Sequence, residues 1–424
     1  MNKILIVGCM IITGINIARA DMYTALQYVY DNSPTINQKR ESINVADADV
    51  RSVATEFQPY LGLVGNIGLA TTEIADYTFD YSPMQYGIEF QQDIFQGGAN
   101  LARYKGARHK LVAARADLYA TQQEVLLSAI NAYIEVLNAQ QVLELNENNQ
   151  RVLQKYHELV QDRQRVGMLT KTDVSQATAR LEMANYHVTD AQAKYDNALE
   201  TFRRIYGTVE HDFCEIDMDV VSNLLPESIS DAQEEALRQH PVLIALGAQE
   251  NAAKQSIGAA YQSMLPSIDV RAALQQINNV PYLDDVRDGR VGVYLRIPLY
   301  DKGNAFANSD KARANIAIIQ DEIMNARRVV IENLRIAWNL YDAQETAISA
   351  AVASVNANKL ALDGIQDEQV SGRRTVLDVL NAEQELLQSR VAHVQAKHAK
   401  ISAFFAILSA VGKLTPENLG IDTD

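Results

Sequence analysis

The chain has 424 residues, of which 38 are basic and 53 are acidic, so its formal net charge is −15 at pH 7. A chain this acidic is a poor ligand for nucleic acid, and we exclude a nucleic-acid-binding function. The sequence contains no Cys pair, no H-E-x-x-H motif and no G-x-S-x-G motif, so it predicts no metal site, no cofactor and no catalytic residues.

The first segment, residues 1–20, has the pattern of a secretory signal peptide. Lys3 is followed by an apolar stretch and then by Ala18-Arg19-Ala20, which fits a cleavage site. Lipoprotein processing at Cys9 is the less favoured alternative, because the apolar stretch before Cys9 is too short. We therefore expect an exported chain in which Cys214 is the only thiol and no intramolecular disulfide forms.

A motif occurs twice in the chain. Gly167–Ala177 and Gly372–Ala382 both read G-x-x-T-x-x-D-V-x-[Q/N]-A. A constant offset relates many other residues of the two halves, which indicates an internal duplication. The predicted organisation is a first repeat at 21–207, a linker at 208–229, a second repeat at 230–412 and a C-terminal tail at 413–424.

Each repeat is expected to open with a helix, which covers about 35–57 in the first repeat and is interrupted near Pro241 in the second. Two strands follow, because the apolar period changes from 3.6 to 2. The predicted strands are 60–70, 85–95, 266–276 and 289–299. About ten residues suffice for a tilted strand to cross a bilayer. The polar connections between them are expected to be loops. Four strands cannot close a barrel, and open sheet edges are not viable in lipid, so a membrane barrel requires several chains. The alternative is that the strands form soluble hairpins on a helical domain.

Helices complete each repeat. The predicted long helices are 99–165 and 304–369, and the predicted shorter helices are 170–206 and 375–411. Along the shorter helices, apolar and small residues recur at alternating spacings of three and four positions, which is typical of a coiled-coil seam. A glycine of the motif supplies the turn between long and shorter helix. Thr170 and Thr375 are expected to cap the returning helices, with Asp173 and Asp378 in the capping-box position.

With these features in order, the chain resembles the TolC family of outer-membrane efflux and type I secretion channels. The segments that carry the resemblance most strongly are 166–177, 298–303 and 375–383. The resemblance implies an α+β membrane protein: a homotrimer with a 12-stranded β-barrel, four strands per protomer, continued by a long α-helical coiled-coil tunnel. It implies a location in the outer membrane, in contact with its lipid and extending into the periplasm.

The resemblance also implies a passive export duct of a tripartite efflux or type I secretion system. Such a duct opens at its periplasmic end when a periplasmic adaptor (membrane fusion) protein and an inner-membrane transporter recruit it. The alternative is a soluble periplasmic coiled-coil scaffold or adaptor. Adaptors usually carry one hairpin, whereas this chain has two hairpins and two strand pairs. The sequence does not identify the cargo.

Site residues follow from the same resemblance. Asp378 and Asn381 match the constriction, where only Asp378 keeps a carboxylate, so the ring is expected to carry about three charges. Asp173 and Arg374 match the acid and the base that link helices in the closed state, and Gln369 stands where the founding member has a tyrosine. The residues that match the adaptor-contact tips are Val166, Gly167, Met168, Thr170, Ser371, Gly372, Arg373 and Thr375.

Overall fold

The computed structural model describes residues 22–74, 77–207, 213–216, 218, 221–280 and 283–422. The predicted signal peptide and part of the predicted linker lie outside the described residues. The fold is α+β, as the sequence predicts. The chain forms two compact units, and each of them takes segments from both predicted repeats.

The sheet unit comprises Pro34–Thr121 and Glu234–Glu332. Its described residues form six strands: β1 Tyr60–Ile67, β2 Ala70–Ile74, β3 Tyr77–Tyr81, β4 Met84–Gln96, β5 Ser267–Val280 and β6 Leu283–Arg296. Four of them form an antiparallel sheet in the order β1-β4-β5-β6. The central pair, β4 with β5, joins strands from the two predicted repeats.

The prediction that the connections within the two strand pairs are loops is wrong, because both connections contain strand residues. The connection 71–84 contains the strands β2 and β3, which form a separate two-stranded sheet in which Thr71 Oγ1 donates to Asp80 Oδ1 at 2.6 Å. The connection 276–290 is largely strand, because β5 and β6 pair as far as Val280 and Leu283. Polar side chains do not interrupt backbone pairing, and the Thr and aromatic residues of β2 and β3 favour strands. The first predicted strand, 60–70, correspondingly ends at Ile67.

One face of the four-stranded sheet is apolar and exposed. Leu63 lies opposite Ile88, and Ile88 lies opposite Leu274, so the three side chains form one row across the sheet. Leu63 is 85% exposed and Val291 is 83% exposed. Since successive side chains alternate between faces, Glu89 points to the other side of β4. The unit therefore presents a broad apolar surface opposite a more polar one.

The helices preceding each strand pair are split at a proline. They are α1 Met22–Asn32, α2 Pro34–Ala54, α5 Ile229–Gln239 and α6 Pro241–Ala260. The split at Pro241 was predicted, whereas α1 was not. Proline lacks an N–H and suits the first position of a new helix, so Pro34 and Pro241 each start one.

The other four helices are α3 Ala99–Arg165, α4 Lys171–Tyr206, α7 Asn304–Val370 and α8 Val376–Val411. Their bounds agree with the predicted ones to within one residue at each end. None of the described helices is both long enough and apolar enough to cross a membrane.

The tip unit comprises the described parts of Met1–Ser33, Gln122–Gln233 and Asn333–Asp424. Its core includes two apolar clusters. The first contains Leu153, Val160, Ala177, Leu181, Ala184, Val376 and Leu380, and the second contains Leu362, Val379, Ala382 and Leu386. The predicted tail packs into the same unit: Leu414, Leu419 and Ile421 are buried. Asp422 exchanges hydrogen bonds of 2.7 and 3.0 Å with Gln27, which anchors the chain end to α1.

His398 is a buried titratable group on α8, where it interrupts the apolar seam. Its Nε2 lies 3.1 Å from Gln141 Oε1 and therefore donates to it, while Nδ1 is buried with no hydrogen-bond partner among the described residues. Burial, aided by the charge of Lys397 and opposed by that of Glu215, lowers the pKa of His398 from 6.5 to about 4. The folded chain thus holds the neutral imidazole.

We expect acid to destabilise the tip unit through His398. Between pH 6.5 and pH 4 the unfolded chain binds this proton and the folded chain does not, so stability is present above pH 6.5 and falls toward pH 4. The loss amounts to about 3 kcal/mol per chain. Thermal melting from pH 4 to pH 7 should show a steeper decline for the wild type than for His398→Gln. Parallel pH profiles would show that His398 titrates normally.

Candidate functional site

The candidate site is built on the two helix-to-helix turns of the tip unit. Gly167 and Gly372 have φ angles of 79° and 75°, which place them in the left-handed region that favours glycine. Met168 N donates to Arg163 O and Arg373 N donates to Glu368 O, both at 2.9 Å. Gly167 N donates to Gln164 O and Gly372 N donates to Gln369 O, both at 3.0 Å. Together these contacts form a Schellman motif at each turn, where the sequence predicts only that glycine allows a tight turn.

Both capping boxes are confirmed. Thr170 and Thr375 each accept a hydrogen bond from the backbone N–H three residues later, at 3.2 Å in both turns. In return, Asp173 Oδ2 accepts from Thr170 N at 2.8 Å, and Asp378 Oδ2 accepts from Thr375 N at 2.9 Å. The backbone and hydroxyl hydrogen bonds from Thr375, aided by the charge of Arg374, lower the pKa of Asp378, which is therefore ionised at neutral pH.

The predicted base of the closed state, Arg374, has a partner that the sequence reasoning missed. Arg374 Nε donates to Glu368 Oε2 at 2.8 Å, and this contact raises the pKa of the guanidinium. Within the described part of one chain, no ion pair joins Arg374 to Asp173. The position of Glu368, six residues before Arg374 and on the other side of a tight turn, could have predicted this contact.

Gln369 and Asn381 each accept from an arginine on another helix. Arg163 Nη1 on α3 donates to Gln369 Oε1 at 3.4 Å. Arg180 on α4 donates through Nη2 to Asn381 Oδ1 at 2.8 Å, and through Nη1 to Gln384 Oε1. Neither arginine was singled out from sequence, because no local pattern shows which side chains face each other across two helices. The structure thus joins both predicted gate amides to neighbouring helices.

Tyr156 lies between the two apolar clusters and contacts both. Its hydroxyl is buried and has no hydrogen-bond partner among the described residues. Burial raises the pKa of Tyr156, and the nearby charges of Asp173 and Glu383 raise it further against the effect of Arg163. Burial likewise raises the pKa of Glu383. Tyr156 thus connects the two apolar clusters of the tip unit.

All eight predicted adaptor-contact residues are exposed in the chain. Val166 and Met168 are each 72% exposed, although both are apolar, and Val370 beside the second turn is equally exposed. Among the described residues, no group of three or more His, Cys, Asp or Glu side chains could hold a metal ion. The tips thus combine apolar side chains with rigidly capped turns.

Comparison with known proteins decides the family. Residues 25–208 and 232–413 match the family model described as outer membrane efflux protein. The chain belongs to the outer membrane efflux protein family. The two matched segments start and end within a few residues of the two predicted repeats. The resemblance to TolC-type channels is confirmed, and with it the location in the outer membrane and the extension into the periplasm.

Individual members of the outer membrane efflux protein family match over most of the chain. The outer membrane efflux protein BepC of Brucella suis biovar 1 is 29% identical over 406 residues, which cover 94% of this chain and 86% of BepC. The outer membrane protein TolC of Vibrio cholerae serotype O1 is 24% identical over a match that covers 92% of this chain and 90% of that TolC. The outer-membrane channel OprN has the same fold, with a TM-score of 0.83 and 18% sequence identity. The match covers 92% of this chain and 90% of the OprN chain. These relatives favour an export channel over the soluble scaffold.

Proposed function

We propose that three copies of the chain assemble into a passive export duct in which their sheets close into one 12-stranded barrel. The observation that carries this proposal is the four-stranded sheet with an exposed apolar face and two edge strands, β1 and β6, that have no partner strand within the described chain. An unsatisfied backbone group in lipid costs several kcal/mol, so the edges must pair with other copies. The number three follows from the resemblance to the TolC family.

The duct catalyses no reaction and supplies no energy. It serves a tripartite efflux or type I secretion system, in which a periplasmic adaptor binds the exposed tips and an inner-membrane transporter drives export. The exposed Val166 and Met168 support the tips as the adaptor contact, because apolar side chains on a rigid turn gain free energy when a partner covers them.

In the closed state, Asp378 and Asn381 of the three chains line the constriction, and Asp173 of one chain pairs with Arg374 of its neighbour. Two details support this pairing. The capping bonds of Asp173 use Oδ2, which leaves Oδ1 available. Arg374 uses Nε for Glu368, and its remaining N–H groups can bind a second carboxylate.

The proposed duct is tested by the mass of the detergent-purified protein and by its conductance in a planar bilayer. We expect a trimer that requires detergent and conducts weakly when closed. A monomer that stays soluble without detergent would reject the duct and favour the scaffold.

Arg374→Ser is expected to raise the mean single-channel conductance severalfold, because one opening event breaks three symmetric pairs together. Asp173→Asn should have the same effect if the two residues pair across chains. The matched control is Glu368→Gln, which removes only the partner within the chain and should leave the conductance low. If Glu368→Gln opens the channel and Asp173→Asn does not, the pairing between chains is wrong.

A further inference from the structure

Arg180 is placed where it can change the charge of the constriction. Its guanidinium donates at 2.8 Å to Asn381, the position where the founding TolC has a second carboxylate, and also to Gln384. Both partners are neutral amides. A guanidinium stays protonated at any physiological pH, so Arg180 brings a full positive charge to this level of α8.

The predicted constriction carboxylate is Asp378, three residues before Asn381 and hence on the same side of α8. Each chain therefore carries one negative and one positive group within about one helical turn of each other. Arg374 is also near Asp378, but it forms an ion pair with Glu368. With that pair neutral, the formal charges of Asp378 and Arg180 in a threefold assembly sum to zero.

We propose that Arg180 is a selectivity-determining residue of the duct, which offsets the Asp378 carboxylates so that the closed constriction passes small anions about as readily as small cations. This assignment rests on the proposed function. A charge beside a narrow aqueous path acts on every passing ion, whereas a charge remote from it is screened within about 8 Å at physiological salt. Asn381 holds the guanidinium close to the path, where its effect on passing ions is strongest.

The contact also has a structural role, because Arg180 links α4 to α8. Substitutions can separate the effect of the Arg180 charge from the effect of its contact between α4 and α8. Arg180→Gln removes the charge, whereas Arg180→Lys keeps the charge but not the two-pronged contact. Gln384→Glu is nearly isosteric and neutralises Arg180 in place, so it tests the charge without removing the arginine.

The experiment is the reversal potential of single channels in a planar bilayer under a KCl gradient. For Arg180→Gln and Gln384→Glu we expect the ratio of K⁺ to Cl⁻ permeability to rise roughly threefold or more, because the Asp378 charge is no longer offset. Arg180→Lys should keep the low ratio of the wild type. Arg204→Gln, at an exposed position 24 residues later on α4, removes the same charge about 36 Å along the helix from Arg180 and should leave the ratio unchanged.

Conducting Arg180→Gln and Gln384→Glu channels with wild-type selectivity would overturn this assignment and leave the duct intact. A shift in Arg180→Lys equal to that in Arg180→Gln would also overturn it, because the linkage rather than the charge would then matter. A wild-type protein that neither forms trimers nor conducts would reject the proposed function itself, and this assignment with it.

Discussion

Arginine in place of Ile88 is expected to prevent assembly of the protein in the outer membrane. Ile88 lies in the middle of the exposed apolar row that also contains Leu63 and Leu274. An arginine on the lipid face of a barrel costs about 2–4 kcal/mol near the bilayer midplane, and a trimer contains the substitution three times. The measurement is the amount of trimer that resists extraction from purified outer membranes, compared with the wild type.

The neighbouring residue provides the matched control. Glu89→Arg introduces the same side chain one position later on β4, but on the opposite face. Because that face is polar in a barrel that encloses water, we expect normal amounts of trimer and a changed ion preference. Equal loss of trimer in both variants would contradict the assignment of the apolar face to lipid.

The second large effect is expected at the tips. Val166→Asp should abolish export in cells, because it puts a charge in the centre of the proposed adaptor contact, where Val166 is 72% exposed. The fold should tolerate this change, since the side chain of Val166 already faces water and buries little apolar surface in the chain. Export is measured with the native adaptor and transporter present, and trimer content and bilayer conductance are measured on the same variant.

Two comparisons make this result specific. Val166→Ile keeps an apolar side chain at the same site and should retain export. Val166→Asp should form trimers with the wild-type conductance, which separates lost recruitment from lost folding. Normal export by Val166→Asp would show that the adaptor contact lies elsewhere.

Much of the site follows from local chemistry, and for that reason it could be predicted. A left-handed glycine and a Thr-x-x-Asp pair describe each turn within seven residues, and both turns have the predicted form. The partners of these residues depend on which helices face each other. Arg180, Glu368 and Arg163 contact predicted gate residues, yet no periodicity in the sequence distinguishes them from other exposed charges.

The sequence by itself determined the family, the long helices with their ends and the turn chemistry, because periodicity and capping are encoded within a few residues. The tertiary structure alone decided that β4 pairs with β5, that β2 and β3 form a hairpin of their own, and that the C-terminal tail is anchored through Gln27. These contacts join segments far apart in the chain or depend on backbone pairing that side-chain polarity does not report. The same holds for the charge that Arg180 brings to Asn381, since only the packing of α4 on α8 places the two side chains together.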